Sequence, residues 1–369
     1  MPTAAAEHGT APAYSMRVGL LANLPQTSIR LVDGGPRVFA RMLEVIAAAQ
    51  RHVHLEVYAW SRTGIGAQFI AALSEAAHRG VQVRVELDAW GTGLASTGIA
   101  ARLRHAGCEV HIFNPLLAGF LGHFGRNHRK LLLVDDRIAF VGGINLSNAF
   151  LGRHRWQDLA VEIHGLACAE LGHRLRHEPH GTVDPSVRIL VSGLAGGHRL
   201  RKRYLKAFGA ARSRILLAHS YFLPDRKLLR SLTAAARRGV SVTLLVPGRS
   251  DVPLARWTTA LLYRRLLSAG VQVYEWTNSV LHAKLAVVDG KRLLVGSFNL
   301  DPYSLANLEA LVESHDLEAA RSAEDWILRR VRSARQITVA DRPLRWLERV
   351  LGHLGRALAS WIYWLLARR

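Results

Sequence analysis

Two stretches of the chain carry the same reactive side chains at the same intervals. Residues 128–145 hold His128-x-Lys130, four residues, Asp135, six residues, then Gly142-Gly143-x-Asn145; residues 282–299 hold His282-x-Lys284, four residues, Asp289, six residues, then Gly296-Ser297-x-Asn299. Each copy supplies an imidazole, an ammonium, a carboxylate and an amide. Equal gaps throughout point to two half-sites of one centre, and the side-chain types suit cleavage of a phosphodiester.

A neutral histidine can attack phosphorus to form a covalent phosphohistidine. A second, protonated histidine can give its proton to the departing alcohol and later take one from an incoming alcohol or water. Lys130, Lys284, Asn145, Ser297 and Asn299 would hold the phosphoryl oxygens as charge develops. Such a site needs no metal and no cofactor, because lysine stands in for the cation and neither motif clusters metal ligands. Asp135 and Asp289 complete the repeated catalytic set, but their spacing from the histidines is odd and they fall in the turn-like strings Asp135-Asp136-Arg137 and Asp289-Gly290-Lys291. They therefore read mainly as turn or lysine-supporting residues. Each histidine also wants a carboxylate to fix its tautomer; Asp158 is expected to orient His128, and Glu309 to orient His282.

The elements that must position these groups are duplicated too. Histidine and lysine two residues apart on a strand share a face, and the apolar runs LLLV and LAVV follow the lysines. An exposed imidazole and ammonium at each strand start would line one cleft. Upstream, VHLEVYAW matches ILLAHSYF, AAHRG before VQVRVEL matches AAARRG before VSVTLLV, and HAGCEVHIF matches SAGVQVYEW. An alanine-rich helix stopping at glycine before a β-branched run recurs each time. The expectation is an α/β chain of two halves, 27–185 and 186–335, each β-α-β-α-β with further strands. A flexible segment, 1–26, precedes them and a basic amphipathic tail, 336–369, follows. The polar stretch 173–188 reads as the linker.

The chain has 369 residues, enough for two domains, and 49 Lys and Arg against 28 Asp and Glu give a net charge of +21. An anionic partner is expected, although arginine-rich composition accounts for part of the excess. Two cysteines, Cys108 and Cys168, make no disulfide framework and read as buried. The N-terminus lacks signal-peptide character, and no apolar run reaches the ~18 residues a membrane span requires.

The doubled HxKxxxxD pattern resembles the phospholipase D superfamily over residues 27–335. The strings AFVGGINLS, YFLPDRKLLRSLTAAARRGV, LLYRRLLSAGVQVYEW, LHAKLAVVDG and VGSFNLDPYSLANLE are similar to those of bacterial cardiolipin synthases, the B type in particular. The resemblance implies two tandem α/β/α domains with mixed sheets and one active site at their interface. It implies ping-pong phosphatidyl transfer without a metal, with His128 as nucleophile and His282 as general acid by analogy, the reverse remaining open. Two departures stand out: Gly143 replaces the usual serine, and the segment between Asp301 and Glu309 is one residue short of the expected pattern.

Flanking sequence favours lipid over nucleic acid. Within 343–369, Leu347, Val350, Leu351, Leu354, Leu358, Trp361, Ile362 and Leu365 follow helical spacing among arginines, as an interfacial helix would; an ordinary helix packed on the domain is the alternative. Leu116, Leu117, Phe120, Leu121 and Phe124 make an apolar loop running into His128, suited to acyl chains or to the core. The expected protein is a peripheral phosphatidyltransferase on the cytoplasmic face of a bacterial inner membrane. It would take phosphatidylglycerol as donor and an anionic phospholipid membrane as partner, with no stable nucleic acid complex. A water-using phospholipase or nuclease is the competing class, and a binding-only protein a weaker third.

Overall fold

The computed structural model describes residues 27–114, 125–178, 184–194, 196–341 and 344–367. Two mixed sheets form its framework. The first has seven strands, β1 (Ser28–Asp33), β2 (His52–Val57), β3 (Gln82–Asp88), β4 (Glu109–Phe113), β5 (Leu131–Val134), β6 (Ile138–Gly142) and β7 (Leu159–His164), in the order β1-β7-β6-β5-β2-β3-β4. The second has eight, β8 (Val187–Val191), β9 (Arg214–His219), β10 (Ser241–Pro247), β11 (Gln272–Trp276), β12 (Lys284–Val288), β13 (Arg292–Gly296), β14 (Ala310–Ser314) and β15 (Arg335–Ile337), ordered β15-β11-β10-β9-β12-β13-β14-β8. In each, parallel strands joined by helices (β2, His52–Val57, with β3, Gln82–Asp88; β9, Arg214–His219, with β10, Ser241–Pro247) abut an antiparallel hairpin. That hairpin is β5–β6 (Leu131–Val134, Ile138–Gly142) in the first half and β12–β13 (Lys284–Val288, Arg292–Gly296) in the second.

The uninterrupted apolar runs after each lysine follow from burial on both strand faces. Leu132 and Val134 face the core under the first half's own helices, whereas Leu131 and Leu133 join a core shared by both sheets. In the second half Ala286 and Val288 face the local core, and Leu285 and Val287 the shared one. The sheets thus pack against each other through the faces their own helices leave uncovered. Helices Leu166–Leu175 and Leu317–Val331 close the ends of this layer. The long helix is tied across the interface: Trp326 Nε1 and Arg330 donate to Asp33 Oδ1 at 2.6 and 3.0 Å, and Arg330 donates to Gln157 at 2.8 Å.

Two expectations change, and a third falls on residues outside the described set. The stretch 173–188 is not wholly linker, because Leu166–Leu175 is helical and β8 starts at Val187; residues 179–183 lie outside the described set. The apolar loop of Leu116, Leu117, Phe120, Leu121 and Phe124 also lies outside the described residues. The C-terminal stripe is divided between two faces of helix Trp346–Ala367. Gly352, Gly355, Ala359 and Ile362 are buried, and Tyr363 donates to the Leu223 carbonyl at 2.8 Å. The two glycines are contact points rather than weaknesses. A Cβ on Gly352 would lie 3.0 Å from the Trp257 carbonyl, and one on Gly355 would collide with the Thr258 hydroxyl. The opposite face leaves Leu347, Val350, Leu354, Leu358 and Trp361 exposed.

Candidate active site

Each hairpin begins where its histidine-lysine pair ends. His128 precedes β5 and His282 precedes β12, and each is pinned by backbone hydrogen bonds to the other half. His128 N–H donates to the Leu308 carbonyl at 2.9 Å, and His282 N–H to the Gln157 carbonyl at 2.8 Å. Leu308 N–H and Gln157 N–H return bonds to Arg126 and Val280 at 2.9 and 2.8 Å. Leu308 and Gln157 directly precede Glu309 and Asp158. The two half-motifs and the two carboxylates are therefore delivered to one place by paired, interdomain crossings.

The pairing of acids with histidines is the reverse of the sequence-based expectation. His128 Nδ1 lies 3.0 Å from Glu309 Oε1, and His282 Nδ1 lies 2.7 Å from Asp158 Oδ2. Asp158 does not orient His128, nor Glu309 His282. Equivalent positions in the two halves cross over, because each strand carrying an acid runs up against the other half's motif. With Nδ1 occupied, each ring keeps Nε2 for chemistry.

The groups are also more buried than expected: His128 is 8% exposed, Lys130 5%, His282 4% and Lys284 1%. Lys130 Nζ donates to the His128 carbonyl at 2.6 Å and sits 5.1 Å from the Tyr58 ring centre. Lys284 Nζ donates to Ser220 Oγ at 2.9 Å and lies 3.3 Å from His282 Nε2. Burial, with Lys130 and Lys284 nearby, holds the His128 imidazole well below its ordinary pKa. Burial and Lys284 depress His282 too, against the opposing pull of Asp158. Both lysines are lowered by burial, opposed by Glu309 at Lys130 and by Asp158 at Lys284. Burial raises Glu309 to about 7 despite Lys130.

The amides divide neatly. Asn145 Oδ1 accepts from Ala59 N–H at 3.2 Å and Asn299 Oδ1 from Ser220 Oγ at 3.0 Å. Each amide NH2 is then the end left to face an anion. Ser297 is not free to bind phosphate, contrary to expectation. Its hydroxyl donates to Glu309 Oε2 and accepts from Ala310 N–H at 2.9 Å. Asp135 and Asp289 do not support the lysines and lie at the far ends of their strands. Asp135 accepts from the N–H groups of Gln50, Arg51 and His52, and Asp289 from those of Arg212, Ser213 and Arg214. They occupy the left-handed turns their sequences suggested, with φ of 54° at both. Their work is to join each hairpin to the strand beside it.

Sequence reasoning missed a buried polar frame in the first half. Asn127 donates to Glu56 at 2.7 Å and its N–H to Asp88 at 2.9 Å; Arg129 reaches Glu56 at 2.9 Å and the Ser192 carbonyl at 2.7 Å. Ser192 in turn accepts from Glu309 N–H at 2.9 Å. The available signal was a glutamate inside the apolar strand VHLEV. Among the described residues no group of three His, Cys, Asp or Glu side chains is placed as metal ligands would be.

Two histidines, each backed by a carboxylate and flanked by a lysine and an asparagine, on a tandem pair of mixed sheets, define a phospholipase D-type phosphodiester site. The family described as "Cardiolipin synthase, PLD-like domain" matches residues 42–170 and 204–331, and the chain belongs to that family of phosphatidyltransferase enzymes. Cardiolipin synthase B of Salmonella typhi is 35% identical over 315 residues, covering 78% of this chain and 76% of that protein. Its Escherichia coli counterpart is 34% identical over 324 residues, covering 80% and 78%. In fold, the chain is similar to phosphatidylserine synthase of Haemophilus influenzae, with a TM-score of 0.71 at 14% identity, covering 94% of this chain and 97% of that one.

Two outcomes follow from the crossed acids. Asp158→Asn should reverse the hydrogen-bond preference at His282 Nδ1 and lower kcat by about 10³–10⁴-fold while the chain stays folded, measured by turnover beside circular dichroism. For Glu309, the folded pKa of about 7 lies above the ordinary glutamate value of 4.5. The folded state therefore holds a proton that the unfolded state has lost over that window, and stability falls as pH rises through it. Glu309→Gln removes this loss, so the melting temperature of the variant minus that of the native chain should climb from pH 5 to pH 8. A flat difference in thermal scans would contradict the assignment.

Proposed function

We propose that this chain is a cardiolipin synthase that works on an anionic membrane surface by ping-pong transfer through phosphohistidine. The single observation that carries the reading is the crossed pair of carboxylate-backed histidines around two lysines. His128 Nε2 attacks phosphorus of phosphatidylglycerol and the bond to the departing glycerol oxygen breaks; His282 gives that oxygen its proton. The hydroxyl of a second phospholipid then surrenders its proton to His282 and attacks phosphorus, and the P–N bond breaks to give cardiolipin. Electrostatics support this order. Burial and the nearby lysines hold His128 well below its ordinary pKa, as a neutral imidazole with a lone pair. Burial and Lys284 lower His282 as well, but Asp158 at 2.7 Å opposes that shift, so His282 is the better placed of the two to carry a proton. Lys130, Lys284 and the two asparagine amides would neutralise the phosphoryl oxygens, as preorganised donors do in a water-poor site.

The surface fits a peripheral attachment. No described helix is long and apolar enough to cross a membrane. The exposed stripe of helix Trp346–Ala367, from Leu347 to Trp361, is flanked by exposed Arg345, Arg349 and Arg356. Such a face can enter the headgroup boundary while arginines meet anionic lipid. The cytoplasmic leaflet is where we place it.

Purified protein on phosphatidylglycerol vesicles should yield cardiolipin and glycerol by mass spectrometry. Phosphatidic acid as the sole lipid product would instead make it a hydrolase, and DNA cleavage without lipid products a nuclease. Rapid quenching of His282→Ala should trap a phosphatidyl adduct on His128 in peptide mass spectra; an adduct on any other residue would overturn the assigned roles. Leu354→Ser with Leu358→Ser should weaken vesicle binding by about a hundredfold or more, given about 1.5–3 kcal/mol for each buried leucine, with little loss in melting temperature. Unchanged co-sedimentation would remove the helix from the membrane contact.

A further inference from the structure

We infer that Arg126 holds the acceptor phospholipid by its own, non-reacting phosphate, and thereby decides between lipid alcohol and water at the second step. This rests on the transfer reading above. The need arises from charge. The reacting phosphodiester is served by Lys130 and Lys284, but an acceptor phospholipid brings a second phosphodiester that takes no part in bond making. Leaving that anion unpaired beside a largely buried site is costly. Water brings no such charge, so a cation reserved for it favours transfer alone.

Arg126 has the placement this requires. Its backbone is fixed by the second half, through its N–H to Asn307 Oδ1 at 3.0 Å and its carbonyl from Leu308 N–H at 2.9 Å. Its exposed guanidinium is held by the first half. It donates to the Tyr58 hydroxyl at 3.0 Å and stands 5.2 Å from the centre of the Trp90 ring. The same Tyr58 ring meets His128 edge-on at 4.9 Å. The guanidinium is thus one aromatic ring from the nucleophile, at the junction of the two halves.

No carboxylate pairs with it among the described residues. Asp88, which feels its charge, has its oxygens committed to the N–H groups of Trp90, Gly91 and Asn127. Residues 115–124, PLLAGFLGHF, contain no acid. The equivalent position in the second half is Val280, whose carbonyl makes the matching interdomain bond from Gln157, so the site has no twin there. A guanidinium fixed on two aromatic groups with free N–H donors suits a phosphate better than a mobile ammonium would.

The test is the product ratio on phosphatidylglycerol vesicles, using the full chain. Arg126→Gln should lower cardiolipin relative to phosphatidic acid by about tenfold, the effect of about 1.4 kcal/mol, and Arg126→Lys should recover part of it. With labelled glycerol as acceptor, which carries no phosphate, incorporation relative to phosphatidic acid should match the native chain. An unchanged cardiolipin ratio in Arg126→Gln overturns the inference, and so does an equal fall with glycerol, which would mean general damage. A native chain that makes no cardiolipin defeats the transfer reading instead, so the two failures are distinct.

Discussion

The reciprocal exchange of carboxylates between the halves is the constraint on which the rest depends. Glu309 of the second half orients His128 of the first, and Asp158 of the first orients His282 of the second. Neither motif histidine takes its carboxylate from its own half, so the chemistry exists only when the sheets are packed face to face. The shared apolar core and the Trp326 and Arg330 bonds to Asp33 and Gln157 are then structural requirements of catalysis as much as of stability. Four backbone bonds at Arg126, His128, Val280 and His282 fix the crossing at hydrogen-bond precision. A displacement of about 1 Å there would separate each imidazole from its acid, more than positioned catalysis tolerates.

The same packing explains the electrostatics. Four basic groups converge in a nearly dry volume, and burial lowers the affinity of all four for protons. Two acids offset part of that charge, one of them itself raised by burial. Such a cluster suits an incoming phosphodiester, whose negative charge offsets that of the lysines. The surrounding aromatic rings, Tyr58 at His128 and Phe150, Trp156 and Tyr221 at His282, exclude water without adding charge.

Much of this was legible in the sequence because it was written twice. The repeat located the histidines, lysines and asparagines, the hairpin turns at Asp135 and Asp289, and the α/β succession in each half. Asp158 and Glu309 were recognisable as the acids, but not their partners. Sequence proximity suggests that an acid serves its own motif, and only the packing of two sheets reveals that it serves the other. The polar frame of Glu56, Asp88, Asn127 and Arg129 escaped for a related reason. Its members come from β2, the end of β3 and the segment before β5, and have no counterpart in the second half, where Ala218, Pro247, Leu281 and Ala283 occupy the matching places, so repetition could not expose them. The terminal helix shows a third limit, since an apolar periodicity cannot say which part of it meets protein.

The departure at Gly143 shows how the half-sites reach one geometry by different means. A side chain there would collide with the Asp158 carboxylate, so glycine makes the room in which the acid sits. Asp158 then places Oδ2 on His282 and receives Leu159 N–H on Oδ1 at 2.8 Å. In the second half the acid is one methylene longer, and the serine retained at position 297 donates its hydroxyl to Glu309 Oε2. Each carboxylate therefore has its histidine and further donors, backbone N–H at Asp158 and serine hydroxyl at Glu309. Aspartate with glycine and glutamate with serine are alternative solutions to the same requirement, which is a carboxylate held still against its imidazole. Gly143 costs the first half-site no phosphate ligand, because the serine in the other half does not serve as one.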